Sequence, residues 1–70
     1  MPLSLAPTDR SLRVIKVLAD EKVKKHLEAL GITVNSEIRI LDQSGGSIIC
    51  FVKDGKLALD KSMATKILVA

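Results

Sequence analysis

Residues 20–41 read DEKVKKHLEALGITVNSEIRIL, and this stretch decides the fold. Asp20 is a residue type that caps helix N-termini, because its carboxylate accepts hydrogen bonds from free backbone amides. Apolar side chains then recur at the spacing of one helix face, at Val23, Leu27 and Leu30. Gly31 follows at the position where a left-handed residue commonly ends a helix. The stretch therefore predicts one short amphipathic helix whose other face carries Lys22, Lys24, Lys25 and Glu28.

A turn and a strand are predicted directly after this helix. Residues 33–36 form the turn, in which Asn35 suits a left-handed conformation better than any other non-glycine residue. Residues 37–41 then alternate as a strand does. Their inward face is formed by Ile38 and Ile40, and their outward face by Arg39 and Leu41.

Four more strands are predicted from β-branched and apolar segments, at residues 11–18, 47–53, 56–59 and 66–69. The alternation of the first segment is imperfect, and a β-bulge or a strong bend near Ile15 would resolve it. Residues 42–46 predict a flexible hairpin loop, and Asp54 with Gly55 predicts a two-residue hairpin turn. Residues 61–64 predict a single helical turn that Asp60 can cap.

Residues 1–9 predict an irregular arm with a turn at Pro7, Thr8 and Asp9. Its two leucines, Leu3 and Leu5, can tuck into the core. Residues 1–70 together make one domain, which is mainly β. About five short strands, with one short helix between the first and second, favour a small closed or nearly closed β-barrel, because closure removes exposed strand edges.

Composition narrows the class of function. A chain of 70 residues is too small to build a deep active-site cleft of its own, so we expect no enzyme. The longest apolar run is residues 48–52, far below the roughly 20 residues that span a bilayer. The first ten residues lack the charged and apolar regions of a secretory signal. A cytoplasmic protein with no integral membrane segment is therefore expected.

The formal net charge is +3, and the local concentration of positive charge is at Lys22, Lys24 and Lys25. A solvated helix face is the favoured interpretation over a nucleic-acid patch. An acidic protein partner or a membrane-proximal surface is compatible with it. Phe51 is the one aromatic residue, so neither a polyproline groove nor a base-stacking platform can be built.

No catalytic or metal-binding motif is present. The sequence contains no phosphate-binding loop, no CxxC and no HExxH pattern. His26 and Cys50 are the weak metal candidates, and each has a simpler interpretation. His26 is expected at the helix surface, because one imidazole does not make a site. Cys50 is expected in the core as a small apolar residue, and as the single cysteine it can form no intramolecular disulfide.

The same two-residue period places large apolar side chains on the outside of one hairpin, at Leu41, Ile49 and Phe51. Two interpretations stand with equal weight. Either the N-terminal arm covers these residues through Leu3 and Leu5, or they form an exposed patch that binds a partner or a second copy of the chain.

Several segments, taken in order, resemble the FeoA family of the bacterial ferrous-iron uptake system. They are Leu27-x-x-Leu30-Gly31-Ile32-Thr33-x-x-Ser36-Glu37-Ile38, Gly45-Gly46-x-Ile48, Leu57-Ala58-Leu59 and Ala64-x-x-Ile67-Leu68-Val69. The family commonly has Pro-Gly where this chain has Val34-Asn35. It often has a polar or basic residue where this chain has Phe51.

The resemblance implies an SH3-like barrel, no enzymatic activity, no cofactor, and association with the membrane transporter FeoB through its cytosolic, GTPase-containing part. The expected contacts are the helix lysines and the outer hairpin face. The protein would then be peripheral to the inner membrane through its partner. An alternative is a regulatory domain akin to the SH3-like C-terminal domain of iron-dependent repressors. Direct metal carriage through His26 and Cys50 is a third possibility.

Overall fold

The computed structural model describes residues 1–53 and 55–70. The helices are α1 (Glu21–Ala29) and α2 (Lys61–Ala64), and a 3-10 turn occupies Leu3–Leu5. The strands are β1 (Leu12–Val17), β2 (Glu37–Ser44), β3 (Ser47–Val52), β4 (Gly55–Asp60) and β5 (Ile67–Val69). The predicted order of five strands, with one helix between the first two, is confirmed.

The five strands form one antiparallel sheet in the order β4-β3-β2-β1-β5. The two outer strands, β4 and β5, are joined by residues 61–66 alone. So short a connection requires the sheet to curl until its ends approach each other. α2 lies at this junction and contacts β4, β3 and the 3-10 turn, which itself contacts β5. The predicted mainly β architecture is thereby confirmed.

One hydrophobic core fills the curled sheet. It takes side chains from all five strands, from α1 and α2 and from the N-terminal arm. The largest fully buried side chains are Leu3, Leu27, Ile32, Ile38, Ile40, Ile48 and Ile67. Within the described residues no polar or charged residue is buried. The stability of the domain therefore rests on apolar burial and on backbone hydrogen bonding.

The helix begins and ends as its sequence predicts. The Asp20 carboxylate accepts a hydrogen bond from the Val23 amide at 2.9 Å. Gly31 has φ of 95°, and its amide donates to the Glu28 carbonyl at 3.0 Å. The Ile32 amide donates to the Leu27 carbonyl at 2.9 Å, which completes a Schellman motif. Asn35 is left-handed as predicted, with φ of 74°.

Two β-bulges set the inside and outside of the sheet. The predicted bulge near Ile15 is present, because the register of β1 against β5 shifts between Val14 and Lys16. As a result Val17 returns to the core while Ile15 is exposed. A second bulge, which the sequence did not predict, lies in β2 between Ile40 and Asp42 and makes Leu41 the extra residue.

Some expectations about individual segments were wrong. Residues 42–46 do not form a flexible loop, because β2 continues to Ser44 and only Gly45 and Gly46 form the turn. Leu30 belongs to the predicted apolar stripe, but it is the C-cap residue of α1 and is 38% exposed. Leu3 is buried as expected, whereas Leu5 is 75% exposed.

The predicted hairpin turn at Asp54 and Gly55 lies partly outside the described residues, because Asp54 is not among them. β4 does begin at Gly55, which pairs with Val52 of β3. In the described part of the chain, no helix is long and apolar enough to cross a membrane.

Candidate functional site

The outer face of strands β2, β3 and β4 presents Phe51 between two cations. Its cross-strand partners are Arg39 on β2 and Lys56 on β4. All three side chains point away from the core, because the alternate residues Ile40, Cys50 and Leu57 point into it. Phe51 is 46% exposed. A large aromatic side chain thus lies half in solvent with a positive charge on each side.

The other two members of the predicted apolar patch are less exposed than Phe51. Leu41 and Ile49 are both half-buried. The two residues are neighbours across the strands. Leu41 is the bulged residue of β2, and Asp42, the next residue of β2, pairs with Ile49. Ile49 shares the outer face of β3 with Phe51. The structure therefore brings the three apolar residues of the hairpin together but leaves Phe51 as the exposed one.

Of the two leucines predicted to cover the patch, Leu3 is buried in the core and Leu5 is 75% exposed. The 3-10 turn that holds Leu3 and Leu5 contacts α2 and β5. The arm meets β2 at its own turn, where the Asp9 amide donates to the Ile40 carbonyl at 2.8 Å. Asp9 is left-handed there, with φ of 58°.

A groove runs beside Phe51, between the sheet and the end of the helix. Its volume is about 680 Å³. Phe51 lines it together with Glu28, Gly31, Val34, Glu37, Arg39 and Lys53. We call this feature the Phe51 groove. Val34 adds a second apolar side chain to it and is 54% exposed. The groove is open and partly apolar, which suits a side chain or a short segment of a partner.

Charges of both signs line the groove, with the carboxylates Glu28 and Glu37 beside the cations Arg39 and Lys53. Among the described residues the single ion pair joins Lys24 and Glu21 at 3.8 Å, away from Phe51. Glu37, at the start of β2, accepts a hydrogen bond from the Ser11 hydroxyl. The described cations near Phe51 are therefore available to bind an anionic group.

The helix lysines do not line the Phe51 groove. Lys22 and Lys25 are exposed earlier on α1, whereas the groove meets the helix near its C-terminal end at Glu28. Lys24 lines a separate cleft between α1 and β1, beside Glu21 and Lys16. Glu28 and Val34 border both depressions. The predicted partner surface therefore divides into a helix part and a sheet part.

The two metal candidates lie in different environments. His26 is exposed on α1, whereas Cys50 is fully buried in the core. Burial raises the pKa of the Cys50 thiol to about 11, because the thiolate would lose its hydration. The thiol donates to the Leu57 carbonyl at 3.7 Å. In the described part of the chain, no group of three or more His, Cys, Asp or Glu side chains could hold a metal ion.

Sequence reasoning missed the cations that surround Phe51. Arg39 was placed on the outer face, but its pairing with Phe51 depends on the bulge at Leu41. Lys53 and Lys56 were passed over because they are not consecutive with other lysines. Their closeness arises from the β3–β4 pairing, in which Phe51 faces Lys56.

Comparison with known proteins identifies relatives of the whole chain. The FeoA domain model matches residues 1–70. The crystal structure of an iron uptake regulatory protein, FeoA, is 28% identical with a TM-score of 0.87, covering 99% of this chain and 92% of that one. The solution structure of a FeoA-like protein from Clostridium acetobutylicum is 28% identical with a TM-score of 0.86, covering 100% of this chain and 84% of that one. No curated protein sequence matches the chain significantly.

A third solved structure adds a description of activity. It is Stenotrophomonas maltophilia FeoA complexed with zinc, described as a procaryotic SH3 domain protein and a candidate ferrous iron transport activating factor. It is 26% identical with a TM-score of 0.84, covering 100% of this chain and 89% of that one. The similarity thus extends over nearly the full length of all three proteins.

Proposed function

Because this chain belongs to the FeoA family of ferrous-iron-transport-associated SH3-like proteins, we propose that it is a non-enzymatic accessory that binds the cytosolic, GTPase-containing part of FeoB. Through that contact it modulates Fe(II) transport. It acts in the cytoplasm, at the inner face of the membrane where its partner lies. In this role ferrous iron is the cargo of the transporter.

An accessory role fits the chemistry of the surface. The FeoA family is a family of small SH3-like accessory proteins and is not a known enzyme family. Cys50, the strongest nucleophile by residue type, is buried with a raised pKa and so is unreactive. What the described surface does offer is a half-exposed aromatic side chain with a cation on each side, which supports a binding role.

The observation that carries the proposal is the exposure of Phe51 between Arg39 and Lys56. Covering the exposed part of a phenylalanine side chain with a partner contributes about 2 kcal/mol from apolar burial alone. Aromatic residues surrounded by polar ones are the usual anchors of protein interfaces. We therefore place the FeoB contact on the Phe51 groove, with the half-buried Leu41 and Ile49 beside it. The helix lysines Lys22, Lys24 and Lys25 do not line the groove and are assigned no part of this contact.

The Phe51→Glu variant tests this proposal. We expect it to lose at least about tenfold in affinity for the purified cytosolic part of the cognate FeoB, because it removes apolar contact and introduces an unmatched charge. Isothermal titration calorimetry measures the affinity. The fold should be retained because the side chain is not in the core, and circular dichroism checks this.

Leu18→Glu is the matched control. Leu18 is 49% exposed, as Phe51 nearly is, but it lies just after β1 and lines none of the depressions described above. This variant should bind FeoB as the wild-type chain does. Equal binding by Phe51→Glu and wild type would remove this face from the interface. Absence of binding by the wild-type chain would overturn the proposed function itself.

A further inference from the structure

Three exposed cationic side chains surround Phe51. Arg39 and Lys56 are its direct cross-strand neighbours, and Lys53 lies two residues along the chain in the same groove. Opposite residues of antiparallel strands hold their Cβ atoms about 5 Å apart. Alternate residues of an extended chain lie about 7 Å apart. One short peptide segment can therefore contact the ring and all three cations, which together we call the Phe51 patch.

Among the described residues, two carboxylates line the Phe51 groove with these cations. Glu28 lies on α1, at the opposite wall, and Glu37 lies on β2 and accepts a hydrogen bond from the Ser11 hydroxyl. Within residues 1–53 and 55–70, no ion pair involves Arg39, Lys53 or Lys56. Among the described residues, the three cations Arg39, Lys53 and Lys56 thus outnumber the two carboxylates, so the net charge beside the ring is positive and is highest on the side of Lys56, which lies outside the groove.

The positive field selects among possible occupants. A two-fold contact between two copies centred on Phe51 would bring Arg39, Lys53 and Lys56 close to their own copies, so like charges would repel. A nucleic acid strand requires several aromatic rings for its successive bases, and the chain has one. An acidic segment with an apolar side chain satisfies both the ring and the cations.

We propose that the Phe51 patch binds an acidic peptide segment whose apolar side chain packs on the Phe51 ring while flanking carboxylates contact Arg39, Lys53 and Lys56. The Arg39 guanidinium can hold one carboxylate through two parallel hydrogen bonds, which fixes its position more firmly than an ammonium would. This inference rests on the proposed function in one respect, since it places the acidic segment in the cytosolic part of FeoB.

The first test uses peptides alone. A fluorescent peptide of about ten residues that alternates Glu and Leu is long enough to cross the patch. We expect it to bind the wild-type chain with an affinity that falls as salt rises, and a peptide alternating Lys and Leu to show no binding. Fluorescence anisotropy measures both. Equal binding of the two peptides would overturn the proposal, because charge would then not be recognised.

Two double variants locate the acidic peptide. Arg39→Gln with Lys56→Gln should weaken its binding roughly tenfold and flatten the salt dependence. Lys22→Gln with Lys25→Gln removes the same amount of charge from the exposed helix face and should leave the affinity within about twofold. If Lys22→Gln with Lys25→Gln weakens peptide binding more than Arg39→Gln with Lys56→Gln does, the acidic segment binds α1 and the proposal is wrong.

One substitution should strengthen binding. Glu28→Gln removes a carboxylate from the opposite wall of the groove. We expect the Glu–Leu peptide to bind this variant a few times more tightly than wild type, by less than about tenfold, because a nearby like charge is lost. Weaker binding by Glu28→Gln would show that the peptide relies on this carboxylate, which contradicts the assigned polarity of the groove.

The second test separates this inference from the proposed function. Unlabelled cytosolic part of FeoB should displace the Glu–Leu peptide from the wild-type chain. Binding of the peptide without displacement would support the acidic site and place FeoB elsewhere or nowhere on the chain. The opposite result is that the peptide does not bind and that FeoB binds the Arg39 and Lys56 variants as it binds wild type. This result would retain the proposed function and overturn the acidic site. A single-stranded oligonucleotide that displaces the peptide at equal concentration would overturn the choice of a protein ligand.

Discussion

At the scale of single residues, adjacent side chains of β3 have opposite roles. Cys50 is fully buried, whereas Phe51 beside it is 46% exposed. The two-residue period of a strand predicts this alternation from the sequence. It does not predict the cations around Phe51, because those depend on which residues of β2 and β4 face it.

The buried thiol predicts how stability depends on pH. Burial raises the pKa of Cys50 from 9.0 to about 11. The contribution of the protonated thiol to the free energy of unfolding is therefore fully present below pH 9 and is lost as pH rises to about 11. In the unfolded chain the thiol ionises first, which draws the equilibrium toward unfolding. The expected loss is on the order of 2–3 kcal/mol over this interval.

Urea denaturation of wild type and Cys50→Ala at several pH values checks this prediction. The alanine variant is less stable at neutral pH because of the cavity it creates, but its stability should fall less above pH 9. Lysine deprotonation affects both proteins equally and cancels in the difference. Parallel profiles for the two proteins would contradict the role assigned to the thiol.

At the scale of elements, the helix stop and the two bulges determine the site. The Schellman motif at Gly31 directs the chain from α1 into the turn at residues 33–36 and thus forms one wall of the Phe51 groove. The bulge at Leu41 then determines which residue of β2 faces Phe51. The end of the helix and the register of the hairpin together place Arg39 beside the ring.

Gly31→Ala should destabilise the domain by about 1–2 kcal/mol, because φ of 95° is strained for a residue with a Cβ atom. The added methyl would meet Val52 and Lys53 only at ordinary contact distance, 3.8 Å, so the cost is conformational and not a clash. For a domain of this size Tm should fall by roughly 5–15 °C, measured by circular dichroism.

Gly46→Ala is the control for that variant. Gly46 does not have a positive φ, and a Cβ atom there would have no neighbour within 4 Å. Its stability should stay within about 0.5 kcal/mol of wild type. An equal loss in both variants would mean that the helix stop does not depend on a left-handed glycine.

Elements marked by a capping residue, a glycine stop or an apolar pattern were predictable from the sequence, and elements without such a mark were not. The cap at Asp20, the stop at Gly31 and the bulge near Ile15 each follow from residue chemistry or from broken alternation. The extension of β2 to Ser44 does not, because Asp42, Gln43 and Ser44 are polar and exposed and give no apolar pattern.

The unpredicted extension of β2 to Ser44 changes the register of the β2–β3 hairpin. With a loop at residues 42–46, Leu41 would face Ser47 and Arg39 would face Ile49. With the observed Gly45–Gly46 turn and the bulge, Arg39 faces Phe51 instead. The sequence therefore predicted the apolar residues of the site but not their charged neighbours, since a register is a property of two strands and not of one.

At the scale of the whole molecule, a single small core supports a surface on which an exposed aromatic ring lies among charged side chains. The domain measures 27 × 21 × 21 Å, and all five strands contribute to one core. Such a domain has room for binding grooves on its surface but not for an enclosed active site. The chain belongs to the FeoA family, which is associated with ferrous-iron transport, and residue chemistry favours a binding role within it.

Ferrous-iron uptake by whole cells tests the central claim most directly. Uptake is compared in cells with and without this chain, in strains that either carry or lack FeoB. We predict that removing the chain changes the uptake rate when FeoB is present and that Phe51→Glu fails to restore it. In cells lacking FeoB, removing the chain should have no effect. An unchanged rate in cells that carry FeoB, or an equal effect in cells that lack it, would contradict the account.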